Sequence, residues 1–159
     1  MQRAESNGGR PVLSEKVCAM DTRDIVELLC DIATEVGSLI GDKGAVSVFR
    51  YAGKKMGRKL GKRYDGGSVD DARAIVQKFF IDKEFMSKIE LHGDCAQLMN
   101  CKIGLVLRDR GIDIGKHALC NFGFGLIDGV VEAVTQKKIV TMHVHSEQQG
   151  DLICCSETW

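Results

Sequence analysis

Two histidines and two cysteines near the end of the chain are the residues whose types and spacing could do chemistry. His143 and His145 stand two apart, and Cys154 with Cys155 follows a turn signal at Gln149, Gly150 and Asp151. A further thiol, Cys120, opens the apolar stretch that precedes them. Cysteine and histidine are the borderline-soft donors that zinc takes in tetrahedral sites. A metal site drawn from Cys120, His143, His145 and Cys154 is therefore the sharp expectation. Residues two apart on a strand project from one face, which would put the two histidines together. A hairpin centred on Gln149 and Gly150 sets His145 opposite Cys154, with Cβ atoms about 5 Å apart; a slip of one residue presents Cys155 instead. The competing reading is plain packing. Free cysteine is among the most buried residue types, both histidines suit the wet side of a half-buried strand, and no compact C-x-x-C signature decides between the readings.

Catalytic alternatives are thin. A Cys120 and His143 nucleophile pair can be assembled on paper, but nothing local supports an activated thiolate. There is no G-x-x-x-x-G-K-[ST] phosphate loop, and Asn121 and Phe122 after Cys120 leave no glycine for a nucleophile turn. Gly123 and Gly125 lack the leading strand and third glycine of a dinucleotide fingerprint. The 159 residues read as one domain. Lys plus Arg and Asp plus Glu both number 22, so no global field favours direct nucleic-acid binding. No uninterrupted apolar run of about 18 residues is present to span a bilayer. Seven cysteines without an apolar leader suit reduced thiols or metal ligands in a cytoplasmic protein better than a disulfide framework. Cys18, Cys30, Cys95 and Cys101 read as packing or surface residues, and neither His92 nor His117 has an evident partner.

The elements that must position these residues follow from periodicity. Residues 1–20, with Asn7, Gly8, Gly9 and Pro11, read as a loose leader before a single domain over 21–159. Asp21 caps a helix whose apolar stripe is Ile25, Leu28, Leu29, Ile32, Val36 and Leu39. Asp42 can cap a second helix to about Arg63, with Gly53, Gly57 and Gly61 on one face. Each glycine costs roughly 1 kcal/mol relative to alanine in a helix interior, so the spacing asks for a reason: close approach of another element, or room for a ligand. The basic residues of 50–63 read as a solvated face or a contact for an acidic protein partner. Ser68 and Asp71 suggest a capping box for a third helix. Phe85, Ile89 and Leu91 are spaced by evens, and with Ala96 to Cys101 predict a hairpin. Residues 102–116 are ambiguous. A glycine-punctuated helix from about His117, then strands over 139–145 and 152–158, complete an α+β fold: N-terminal helices on an antiparallel sheet of about four strands, with one long inserted helix.

The C-terminal pattern resembles the 4-vinyl reductase or hydrocarbon-binding domain family. The family's cysteine opens a helix of the form C-x-x-x-G-x-x-x-G, here Cys120 with Phe124 where the first Gly would sit, Gly123 and Gly125 around it, and then Gly129; its turn C-x-x-x-G-D-x-x-C is matched by Gly150, Asp151 and Cys154, and its A-G-x-x-x-G-x-x-x-G helix by Ala52, Gly53, Gly57 and Gly61. His143 stands at the family's acidic ligand position and Ser146 at that of its first strand cysteine, with His145 adjacent as a replacement ligand. The resemblance implies a fold like that of the NO-sensing haem domains and Golgi-transport subunits, commonly dimeric, with a structural zinc beside an aromatic-ligand pocket. On that basis the expectation is a stand-alone, non-catalytic module for a small apolar ligand, zinc-bearing and homodimeric. Phe79, Phe80, Phe85, Met86, Met99, Phe122 and Phe124 are candidate lining residues, although the same set describes an ordinary core. The alternatives are a tetrapyrrole-related reductase or accessory factor with iron or haem, and a scaffold subunit.

Overall fold

A computed structural model describes residues 20–64, 66–92, 95–149 and 152–158. Residues 1–19, with Cys18, the two hairpin tips, Asp65 and Trp159 lie outside the described residues. Three helices, α1 (Thr22–Ile40), α2 (Asp42–Gly61) and α3 (Val69–Asp82), precede a hairpin of β1 (Lys88–His92) and β2 (Cys95–Met99). Two helices, α4 (Lys102–Asp109) and α5 (Ala118–Thr135), lead to β3 (Met142–Gln149) and β4 (Leu152–Thr158). The sheet is antiparallel and open, in the order β1-β2-β4-β3. The α+β class is as expected; the ambiguous stretch resolves as a short helix, so two helices are inserted between the hairpins.

Local signals act where the residues indicated. The Asp24 amide donates to Asp21 Oδ1 at 2.9 Å and the Asp21 amide to Asp24 Oδ2 at 3.3 Å, a reciprocal cap for α1. Ser68 and Asp71 do the same for α3. Asp42 differs: it is the first residue of α2, and Gly41, at φ 80°, takes the cap position.

The glycines of α2 serve close approach. A Cβ on Gly53 would lie 2.0 Å from the Phe122 carbonyl oxygen of α5, and one on Gly57 2.1 Å from that of Leu126. Reciprocally, a Cβ on Gly125 would lie 2.1 Å from the Arg50 carbonyl oxygen, and one on Gly129 2.2 Å from that of Lys54. The two backbones touch at four matched glycines, two on each helix and about one turn apart. Although α5 is long and apolar enough by composition to cross a membrane, 72% of it is buried inside this fold.

Two expectations are corrected. The side of α1 that packs is Val26, Cys30, Ala33 and Gly37, whereas Ile25, Leu28, Ile32 and Leu39 are 41–82% exposed. Small residues let α1 lie close to its neighbours, and the larger ones flank the contact. The basic face of α2 is not wholly solvated either: Arg50 pairs with Asp128 at 2.8 Å, and Lys54 and Arg58 reach Glu132 at 2.8 and 3.0 Å.

Gly57→Ala is expected to cost about 3 kcal/mol or more, since the obstacle is backbone rather than a mobile side chain. Gly123→Ala, whose Cβ would meet nothing within 4 Å, should gain roughly 1 kcal/mol of helix propensity. Urea midpoints of the two variants test the seam against a glycine of the partner helix that lies outside it.

Candidate functional site

The last hairpin does not gather the four expected ligands. Gln149 pairs with Leu152, so Ser146 lies opposite Cys155 and Glu147 opposite Cys154. A bulge between His143 and His145 sets His143 opposite Glu157 and His145 opposite Ser156. The extra residue cancels the two-residue alternation, and the histidines take opposite faces. His145 is exposed, its Nε2 3.4 Å from Glu147 Oε1. Cys154 is half-buried on the side away from Cys155; burial, Glu147 and Glu90 push its thiol up.

Cys155 is the thiol that faces inward. With Cys101 at the start of α4, Cys120 in the first turn of α5, and Glu157, it lines an interior chamber of about 30 Å³ whose remaining walls include Phe80, Met86, Leu98, Ile103, Phe124 and Ile127. The thiols of Cys101, Cys120 and Cys155 are all raised, first by burial. They stay protonated at neutral pH, which makes them poor nucleophiles. Cys120 is further held by the Gly115 amide, which donates to its Sγ at 3.4 Å. Gly115, at φ 86°, has no room for a side chain: a Cβ there would lie 2.3 Å from His143 Cδ2.

Glu157 is the functional group that reading the sequence missed. Its side chain is 3% exposed, and Oε1 lies 2.9 Å from His143 Nδ1. Oε2 is buried with no hydrogen-bond partner. Burial pushes this carboxyl up from 4.5 to about 8, so it is uncharged at neutral pH. The His143 ring is held below its ordinary value by burial and by His145. The pair thus shares hydrogen-bonding protons without a formal charge. The only available signal was its place two residues after Cys155 on the same strand face.

A second polar cluster fixes the start of β3. Arg50 Nη2 donates to Asp128 Oδ2 at 2.8 Å and to the Thr141 carbonyl at 2.7 Å, and the Thr141 amide donates to Asp128 Oδ1 at 2.7 Å. Asn121 Nδ2 donates to the His117 carbonyl at 3.1 Å, and His117 Nδ1 accepts the Leu119 amide at 3.3 Å, capping α5. His117 therefore has a structural partner.

Cys120 and His143 meet around Gly115, but His145 and Cys154 do not join them. Among the described residues, no three of the Cys, His, Asp or Glu side chains are grouped so as to hold a metal ion. The donor set implied by the resemblance does not fit as arranged. The expected lining residues also separate: Phe80 and Phe124 face the chamber, whereas Phe79 lines an outer groove. Phe79, Phe80 and Phe85 form one aromatic cluster with centroids 5.5–6.4 Å apart. Phe122 is partly buried, its carbonyl in the helix seam, and Met99 sits half-buried on β2. No model of a known protein family and no curated protein matches this chain.

The buried carboxyl gives a pH signature. Between about pH 4.5 and 8 the folded chain retains a proton that the unfolded chain has released, so stability falls as pH rises through that range. His143, lowered from 6.5, has the opposite sign and matters only on the acid side of that value. Melting temperature should therefore fall from pH 6.5 to 8 in the native sequence and flatten in Glu157→Gln; a flat native profile would contradict the uncharged carboxyl. Asp128→Ala, which strands a largely buried guanidinium, is expected to cost about 3–5 kcal/mol. Arg58→Ala, at an exposed pair, should cost at most about 1 kcal/mol. Denaturation curves of the two separate the buried from the surface pair.

Proposed function

We propose that this domain is a non-catalytic binding module that encloses a small, mostly apolar guest in the chamber between α3, α4, α5 and the inner face of the sheet. One observation carries the reading: Glu157 Oε2 is buried in an otherwise apolar and thiol-lined chamber with no partner. An unsatisfied buried oxygen costs about 1–3 kcal/mol, and a guest with one hydrogen-bonding group would offset that cost. Ligand sites commonly take this form, apolar walls with a few convergent polar groups. The chamber, about 30 Å³, is about the volume of one water, so a guest of a few heavy atoms enters it by parting the apolar walls. The raised thiols favour binding over chemistry, since none is poised as a nucleophile. The resemblance to the hydrocarbon-binding family supports the same reading.

1-Propanol is a suitable probe, with a short apolar chain and one hydroxyl. Methyl NMR should show saturable shifts at Leu98, Ile103 and Ile127, weakened several-fold by Glu157→Leu, with Val26 unmoved. Shifts that grow linearly without saturation, or that survive Glu157→Leu unchanged, would overturn the assignment. Chelator dialysis is expected to leave the melting temperature unchanged, because no step of this reading requires a metal; a large drop would show the soft ligands regrouping around an ion.

A further inference from the structure

An open groove of about 360 Å³ lies where the start of β3 meets α2, the α4–α5 loop and the first turns of α5. That volume is within the range of small-molecule sites. Its apolar walls are Ile114, Phe124, Met142 and Val144, and its polar side chains are Arg50, Lys116, Asn121, Thr141 and His143. Met142 and Val144, on the edge strand of the sheet, are 58% and 54% exposed. Ile114 and Phe124 also face the interior chamber, but neither Glu157 nor any of the chamber's cysteines lines this groove.

Arg50 is held in place with a donor left over. Nε and Nη2 both donate to Asp128 Oδ2, at 3.2 and 2.8 Å, and Nη2 also donates to the Thr141 carbonyl at 2.7 Å. A guanidinium carries two N–H donors on each terminal nitrogen. Nη1 makes one long contact, to Asn121 Oδ1 at 3.5 Å, and so keeps a donor for a ligand. The apolar walls stand beside this anchor: Cζ lies 6.0 Å from the centroid of the Phe124 ring, and Met142 directly follows Thr141. The lining is one-sided in charge. Asp128 and Asp113, which pair with Arg50 and Lys116 at 2.8 Å each, are not part of it. Among the described residues, no carboxylate side chain lines the groove.

We propose that this groove binds a short aliphatic carboxylic acid as its anion, with one carboxylate oxygen accepting from Arg50 Nη1 and the chain lying against Phe124, Met142 and Val144. A hydrogen bond between two charged groups is stronger than one between neutral groups. Asp128 and Thr141 already fix the guanidinium, so binding orders little that is not ordered beforehand. A cationic head on the same chain would face Arg50 with no carboxylate in the lining to receive it. The site is separate from the interior chamber and depends neither on the Glu157 carboxyl nor on a guest beside it.

Methyl NMR titration of the full chain with hexanoate tests this, with hexylammonium as the charge-reversed probe and acetate as the head without its chain. The expected result is saturable shifts at Met142 and Val144, with Leu98 and Ile127 of the chamber unmoved, and an affinity roughly tenfold or more above that of either comparison ligand. Met142→Glu, at an exposed position, sets a carboxylate on the wall and should weaken hexanoate by a similar factor with the melting temperature retained. Arg50→Lys keeps the charge facing Asp128 but gives up Nη1, and should weaken hexanoate likewise; if that variant fails to fold, Met142→Glu and the two comparison ligands decide alone. Absence of saturable shifts, equal binding of hexylammonium or of acetate, or unchanged binding by Met142→Glu would each overturn the proposal. Shifts confined to Leu98 and Ile127 would overturn it as well, by placing the acid in the chamber.

Discussion

The backbone contact between α2 and α5 is the constraint on which the rest of this structure depends. Helix axes ordinarily lie 8–10 Å apart because side chains intervene; here matched glycines let carbonyl oxygens of each helix sit where the other would carry a Cβ. Such a seam fixes register as well as distance, because sliding one helix along the other drives a side chain into backbone. Three cationic residues of α2, Arg50, Lys54 and Arg58, are thereby carried onto Asp128 and Glu132 of α5. Asp128 in turn holds the Thr141 amide. The start of β3 is thus set by the α2 and α5 pair.

The same placement decides what the interior can do. With α5 fixed, Cys120 comes under Gly115, and the Gly115 backbone lies against the His143 ring. His143 meets Glu157, and the carboxyl is enclosed with three thiols among apolar walls. Every titratable group of this chamber is pushed toward its uncharged form by burial. A neutral interior with one open hydrogen-bonding position is suited to selecting a guest by size and by a single polar contact. It is poorly suited to stabilising a charge that develops during a reaction, which needs preorganised donors aimed at that charge.

What could be read from the residues divides along the range of the interactions. Caps at Asp21 and Ser68, the glycine spacing of α2, both hairpins and the long inserted helix all rest on contacts or periodicities within a few residues, and each was legible. The packed side of α1 was not: its apolar stripe suggested Ile25, Leu28 and Ile32, but the glycine, alanine and cysteine side fits closer to the neighbouring helices. Cys155 and Glu157 were obscured for a different reason. The turn pairs Glu147, rather than His145, with Cys154 and leaves Cys155 on the inner face, while one bulged residue farther along β3 separates His143 from His145. Periodicity alone cannot place such a bulge, and the candidate site changes its members with it.

The most direct measurement is a site-resolved carboxyl titration of Glu157 by carbon NMR in the unmodified protein. The account requires midpoint behaviour near pH 8, as for a carboxyl enclosed and uncharged, with its signal moving when a small alcohol is added. A midpoint in the ordinary carboxylate range, about 4.3 for a free glutamate side chain, would mean that Glu157 is solvated, that the chamber is not closed, and that the proposed binding site does not exist.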